Sequence, residues 1–148
     1  DMRNRFKTKF DVILNLFTSF GFFEDDNEDI NVLKNIKKGL NQKGIAVIDF
    51  MNAKKVIANL VLKEQKTINN IQFDITRQVK DGFIIKDIRI TDGKEEQQFQ
   101  EKVKAITLAD YSEFITNAGL KIIDIFGNYK LDNFDEEISD RLILICKK

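Results

Sequence analysis

The stretch "FDVILNLFTSFGFF", residues 10–23, decides the fold. Val12, Ile13 and Leu14 are consecutive and apolar, which predicts a strand over residues 10–17 covered on both faces, as in a parallel sheet. The strand breaks into a Thr18-Ser19-Phe20-Gly21 turn. Asn15, Thr18 and Ser19 lie among large apolar side chains, where a polar group needs a hydrogen-bonding partner or a ligand.

Downstream comes "EDDNEDINVLKNIKKGLNQKG" (24–44), in which Ile30, Leu33, Ile36 and Leu40 form one helical stripe. Acidic residues fill its start and lysines its end, complementing the helix dipole. Gly44 is expected to close the turn after it, before a second buried strand, "IAVIDF" (45–50). Strand, helix, strand reads as a parallel crossover and an α/β fold. Asn52 is placed to cap a short helix carrying Val56, Ile57 and Leu60.

The period then becomes two. "QFDITRQV" (72–79) alternates Phe73, Ile75 and Val79 with Asp74, Thr76 and Gln78. Asp81-Gly82 and Asp92-Gly93 are hairpin turns, so three antiparallel strands are expected, the last over about 95–106, with one wet face. Thr107 and Asp110 form a near capping box for a helix lined by Leu108, Tyr111, Phe114, Ile115 and Ala118. Gly119 falls where a left-handed C-terminal residue belongs. Strands at 120–127 and 141–146 flank a polar loop.

Composition bounds the function. The 148 residues suit one domain, and 43% hydrophobic content with 13 Phe marks a folded chain. Balanced charge, 24 basic against 24 acidic residues, argues against nucleic acid or an anionic membrane as partner. No apolar run is long enough to span a bilayer and no secretory leader is visible. One cysteine fits a reducing cytoplasm. The absence of His excludes His-dependent triads and His-ligated metals, and no metal site is expected. The chain starts at Asp1 rather than Met and reads as a piece of something longer.

Three segments taken in order carry a resemblance: "DMRN…FDVILNLFTSFGFF", "IAVIDFMN", and "TLADYSEFITNAGLKIIDIFGNY" with "SDRLILICKK". Together they resemble the C-terminal half of a class I S-adenosylmethionine-dependent methyltransferase, of the small-molecule type. The resemblance implies a Rossmann-like sheet whose strands four, five, six and seven are residues 10–17, 45–50, 120–126 and 141–146, the last antiparallel. Strands one to three are then absent. Residues 1–61 and 107–148 become the half-core, and 62–106 an inserted meander that covers the substrate. In such open sheets ligands sit beyond the carboxyl ends of the strands.

What the resemblance implies for the site is specific. Asp1, Met2 and Arg3 match the motif that receives the donor's adenine. Asn15, Leu16 and Phe17 flank its methionine end, with the Leu16 carbonyl on the amino group. Thr18, Ser19, Phe20 and Phe22 face a small-molecule acceptor, the aromatic rings excluding water and favouring a cationic sulfur. The cofactor is S-adenosylmethionine, with S-adenosylhomocysteine as product. No residue announces itself as a catalytic base. The family's glycine-rich loop and ribose-binding acid have no counterpart among the seven scattered glycines and would lie upstream. With strand one missing, strand four becomes an apolar edge that is expected to pair, with another copy or with the missing N-terminal half. The alternative is a non-catalytic binding or dimerisation module derived from a truncated methyltransferase.

The remaining candidates read as structural. Asp49, in an apolar strand, bonds nearby backbone or orients an acceptor. Arg141 pairs with an acid, Arg77 and Arg89 belong to a solvated face, and Cys146 is a core residue.

Overall fold

The computed structural model describes residues 1–148. In chain order its elements are β1 (Phe10–Asn15), α1 (Asp26–Gly39), β2 (Leu40–Met51), α2 (Ala53–Ala58), β3 (Lys63–Ile68), β4 (Ile71–Lys80), β5 (Phe83–Asp92), β6 (Glu95–Lys104), α3 (Leu108–Asn117), β7 (Lys121–Phe126) and β8 (Arg141–Lys147). They form two sheets. The first has the order β1-β2-β8-β7, with β1 parallel to β2 and β8 antiparallel to both of its neighbours. The second is the antiparallel meander β3-β4-β5-β6.

Helix α1 starts where Asp25 accepts a hydrogen bond from the Asn27 amide at 2.9 Å. Asp26, Glu28 and Asp29 in its first turn and Lys37 and Lys38 in its last oppose the dipole at each end. Val32, Leu33 and Ile36 bury its stripe. The stripe ends sooner than its spacing predicts, because the helix stops at Gly39 and Leu40 opens β2 directly. The expected turn at Gly44 does not form. Gly44 instead lies inside β2, where the pairing slips from Phe10–Leu40 to Val12–Ile45. A Cβ there would stand 2.9 Å from the Phe10 carbonyl oxygen, so the close backbone approach at this bulge requires glycine.

The β1 run is covered on one face only, which corrects the two-sided expectation. Ile13 and Asn15 point into the core, while Val12 and Leu14 are 49% and 57% exposed. A continuous apolar run cannot say how many layers cover it. Inside, Tyr111 of α3 sits between Phe20 and Phe50, ring centroids 5.4 Å from each. Leu142, Leu144 and Cys146 of β8 close this core. Each such side chain contributes about 1.5–3 kcal/mol by leaving water.

The meander has four strands rather than three. β3, "KEQKTI", lacks an alternating pattern and joins β4 through Asn69-Asn70, both left-handed at φ 52 and 65. Asparagine tolerates that conformation, as a two-residue hairpin requires. β6 ends at Lys104 and ties the meander to the core. Its amide donates to the Gly21 carbonyl at 2.8 Å, and its ammonium reaches Asp26 and Asp29 at 2.6 and 2.7 Å. Burial opposes the Lys104 charge, but the two carboxylates outweigh it and raise its pKa. Arg77 and Arg89 are not merely solvated, since they pair with Glu64 and Asp74. The capping box of α3 forms as expected, the Thr107 amide bonding the Asp110 carboxylate at 2.8 Å.

Two substitutions grade these features. Gly44→Ala is expected to cost about 1–3 kcal/mol in urea unfolding, because backbone must move. Thr107→Ala is expected to cost about 1 kcal/mol, because only one cap is lost. Equal costs would show that the bulge absorbs a side chain freely.

Candidate functional site

Because β1 and β2 run parallel, their carboxyl ends lie side by side, and the chain leaving β1 must turn sharply over β2. Phe17 and Thr18 make that turn with φ of 60 and 59. Two consecutive non-glycine residues in the left-handed region cost about 1–2 kcal/mol each, so something must hold them.

Asp49 of β2 holds them. Its carboxylate is 1% exposed. The Phe17 amide donates to Oδ2 at 2.9 Å, and the Asp49 carbonyl takes the Thr18 amide at 3.1 Å. Arg141, first residue of β8, donates from Nε to Oδ1 at 2.8 Å and from Nη2 to the Thr18 hydroxyl at 3.1 Å. The Tyr129 hydroxyl donates to Oδ2 at 3.1 Å. Removal from water and this bond raise the Tyr129 phenol above its ordinary range. Both sequence readings hold here: Asp49 binds backbone and Arg141 pairs with an acid. Tyr129 went unnoticed, because it lies in a polar loop 80 residues from the group it serves.

A second feature adjoins the turn. A cleft of about 460 Å³ is lined by Asp1, Met2, Ile13, Asn15, Ser19 and Val32, among others. The Asn15 side chain is almost wholly buried and its Nδ2 lies 3.2 Å from the Met2 sulfur. Its carbonyl oxygen, Oδ1, is buried without any partner. Asp1 receives the Arg3 backbone amide at 2.9 Å and the Arg3 guanidinium. Arg3 also pairs with Glu28 at 2.7 Å and lies 5.0 Å from the Phe23 ring centre.

The structure therefore gathers Asp1, Met2, Asn15 and Ser19 around one cleft, with Arg3 bonded behind Asp1. Leu16 and Thr18 are half-buried in the turn. Phe17 and Phe22 are exposed, 78% and 51%. Phe20 does not join them. It is wholly buried against Tyr111, so it is a core residue rather than part of an acceptor wall. An aromatic two residues past an exposed turn reads alike for pocket and core, and the packing of α3 decides it. The Cys146 thiol is buried, which pushes its pKa up to about 12 and leaves it inert.

No protein-family model matches the sequence, and no curated protein does. Solved structures match over nearly the whole chain. A S-adenosylmethionine-dependent methyltransferase from Clostridium acetobutylicum superposes on 99% of it with a TM-score of 0.84 at 18% identity. The fold is methyltransferase-like. The CcbJ methyltransferase from Streptomyces caelestis gives a TM-score of 0.83 at 12% identity over 99% of the chain. CalS10, an amino pentose methyltransferase from Micromonospora echinaspora, gives 0.70 at 14%, again over 99%. Identities this low establish the fold alone. The chain spans 62%, 61% and 61% of those three proteins respectively, less than two thirds of each. No helix is long and apolar enough to cross a membrane.

The thiol gives a pH test. Its folded pKa is raised above the unfolded value near 9, so its contribution to stability is complete below pH 9 and lost as pH rises through about 12. Cys146 is expected to resist Ellman's reagent until the protein unfolds, and Cys146→Ala to flatten the loss of stability across that window. Rapid labelling of the native protein would contradict this.

Proposed function

We propose that this chain is the C-terminal half of a class I S-adenosylmethionine-dependent methyltransferase, and that the whole protein methylates a small-molecule acceptor and releases S-adenosylhomocysteine. In this reading β1, β2, β7 and β8 are strands four, five, six and seven of a Rossmann-like sheet, and residues 62–106 cover the acceptor. The observation that carries it is the cleft at the end of β1 that brings together Asp1, Met2, Asn15 and Ser19.

The residues present fit the donor. Asp1 accepts from an amino group, and Met2 and Ile13 offer apolar contact to a flat ring. Asn15 and the Leu16 carbonyl accept from an ammonium. Bound there, S-adenosylmethionine supplies an electrophilic methyl carbon on a cationic sulfur. Thr18 and Ser19 orient an acceptor at the end of β1, while Phe17 and Phe22 keep water from it. An acceptor with a free lone pair needs no base from this chain.

Two features support a missing half rather than a complete enzyme. β1 is a sheet edge with Val12 and Leu14 exposed, and the chain falls short of its structural neighbours in length. We read the edge as pairing with upstream strands or with a second copy. The single buried cysteine supports a cytoplasmic location. The second reading, a non-catalytic binding or dimerisation module, is favoured by the lack of any G-x-G loop in these residues.

Calorimetric titration of S-adenosylhomocysteine into the full-length gene product is expected to show micromolar binding, weakened about tenfold or more by Asn15→Leu, which keeps the volume and removes the amide. No binding by the full-length protein would defeat the enzyme reading and leave the module. Light scattering of residues 1–148 alone is expected to show association, and a monomer at high concentration would exclude edge pairing.

A further inference from the structure

The left-handed Phe17-Thr18 pair and the buried Asp49 carboxylate form one device. Phe17 and Thr18 would leave the left-handed region if released, since neither is glycine. The Asp49 carboxylate receives three donors on two oxygens: the Phe17 amide, the Arg141 guanidinium and the Tyr129 hydroxyl. Arg141 closes the circuit by donating to the Thr18 hydroxyl. Every member of this network therefore touches the turn or touches what holds it.

We infer that Asp49 and Arg141 are positioning residues, which fix the turn so that Leu16, Thr18 and Ser19 present their polar groups at the end of β1, and that Tyr129 secures the network on its solvent side. This rests on the reading of that end as the donor and acceptor site. Asp49 and Arg141 act through the turn and contact neither ligand. Strain makes the effect specific. Without its carboxylate anchor the pair relaxes toward ordinary backbone, and the Leu16 carbonyl swings with it. Tyr129 differs from its partners in exposure: the residue is 64% exposed while its hydroxyl is held. It lies 5.9 Å from the Arg141 guanidinium, which braces the ring against the network.

A double-mutant cycle separates positioning from general destabilisation. In the full-length protein, Asp49→Asn is expected to weaken S-adenosylhomocysteine binding about tenfold or more, because an amide keeps only one of the two acceptor oxygens. Glycine at position 17 occupies the left-handed region at little cost, so in a Phe17→Gly background the same change is expected to cost about threefold or less. Equal losses in both backgrounds, or none in either, would overturn the inference. Should Asp49→Asn fail to fold, Thr18→Val and Tyr129→Phe each remove one bond and leave the ion pair intact. Each is then expected to speed amide hydrogen exchange at Phe17 and Thr18 about tenfold, with Ala46 and Leu144 unchanged. Unchanged exchange at the turn would overturn the inference too. These exchange rates decide the clamp even if the wild-type protein binds no S-adenosylhomocysteine, a result that would sink the methyltransferase reading instead.

Discussion

The buried carboxylate of Asp49 is the constraint on which the geometry at the carboxyl end of β1 depends. An ionised group at 1% exposure is costly unless charge and hydrogen bonds compensate it fully. Here one oxygen is met by a guanidinium and the other by an amide and a phenol. Losing either partner leaves a buried charge short of bonds, which is why β2, β8 and the turn after β1 are fixed relative to one another and not merely adjacent. The same carboxylate offsets the strain of two left-handed residues.

A second buried ion pair does the corresponding work at the other junction. Asp29 is wholly buried, and its burial raises its pKa against the pull of Lys104. Lys104 is the last residue of β6, so this pair sets where the meander meets the start of α1. Beside it, the Lys104 amide bonds the Gly21 carbonyl, Lys102 pairs with Glu24 at 2.7 Å, and Val103 packs on the core. The protein thus has one ionic anchor at the strand ends of its mixed sheet and another at the root of its meander.

What could be read from sequence was what neighbouring residues decide among themselves. The capping box at Thr107 and Asp110, the stripe of α1 and the Asp81-Gly82 hairpin are short-range, and each formed, whereas the second hairpin turns one residue later than expected, at Gly93-Lys94, because Asp92 pairs with Glu95. The apolar runs of β1, β2 and β8 located the sheet. The misses share a different cause. Gly44 reads as a loop glycine until the Phe10 carbonyl is placed beside it. Asn69-Asn70 turns a hairpin between a strand that alternates and one that does not. Phe20 belongs to the core only because Tyr111, ninety-one positions later, packs on it. In the candidate site, Asp1, Met2, Asn15 and Ser19 were legible through the motif they resemble. Tyr129 was not, since no local pattern marks a loop tyrosine as the partner of a distant aspartate.

The spacing of the Asp49 network has a consequence for how the chain is made. Its two side-chain donors from the C-terminal region, Tyr129 and Arg141, follow it by 80 and 92 residues. During vectorial synthesis β1, α1 and β2 emerge before Tyr129 and Arg141, so Asp49 is made without those two partners. The long meander must then be made before β8 can close the sheet. Local contacts inside the meander form without that closure, whereas the β2–β8 pairing joins residues far apart in sequence. The β2 edge that β8 covers therefore stays open until the whole meander has been made.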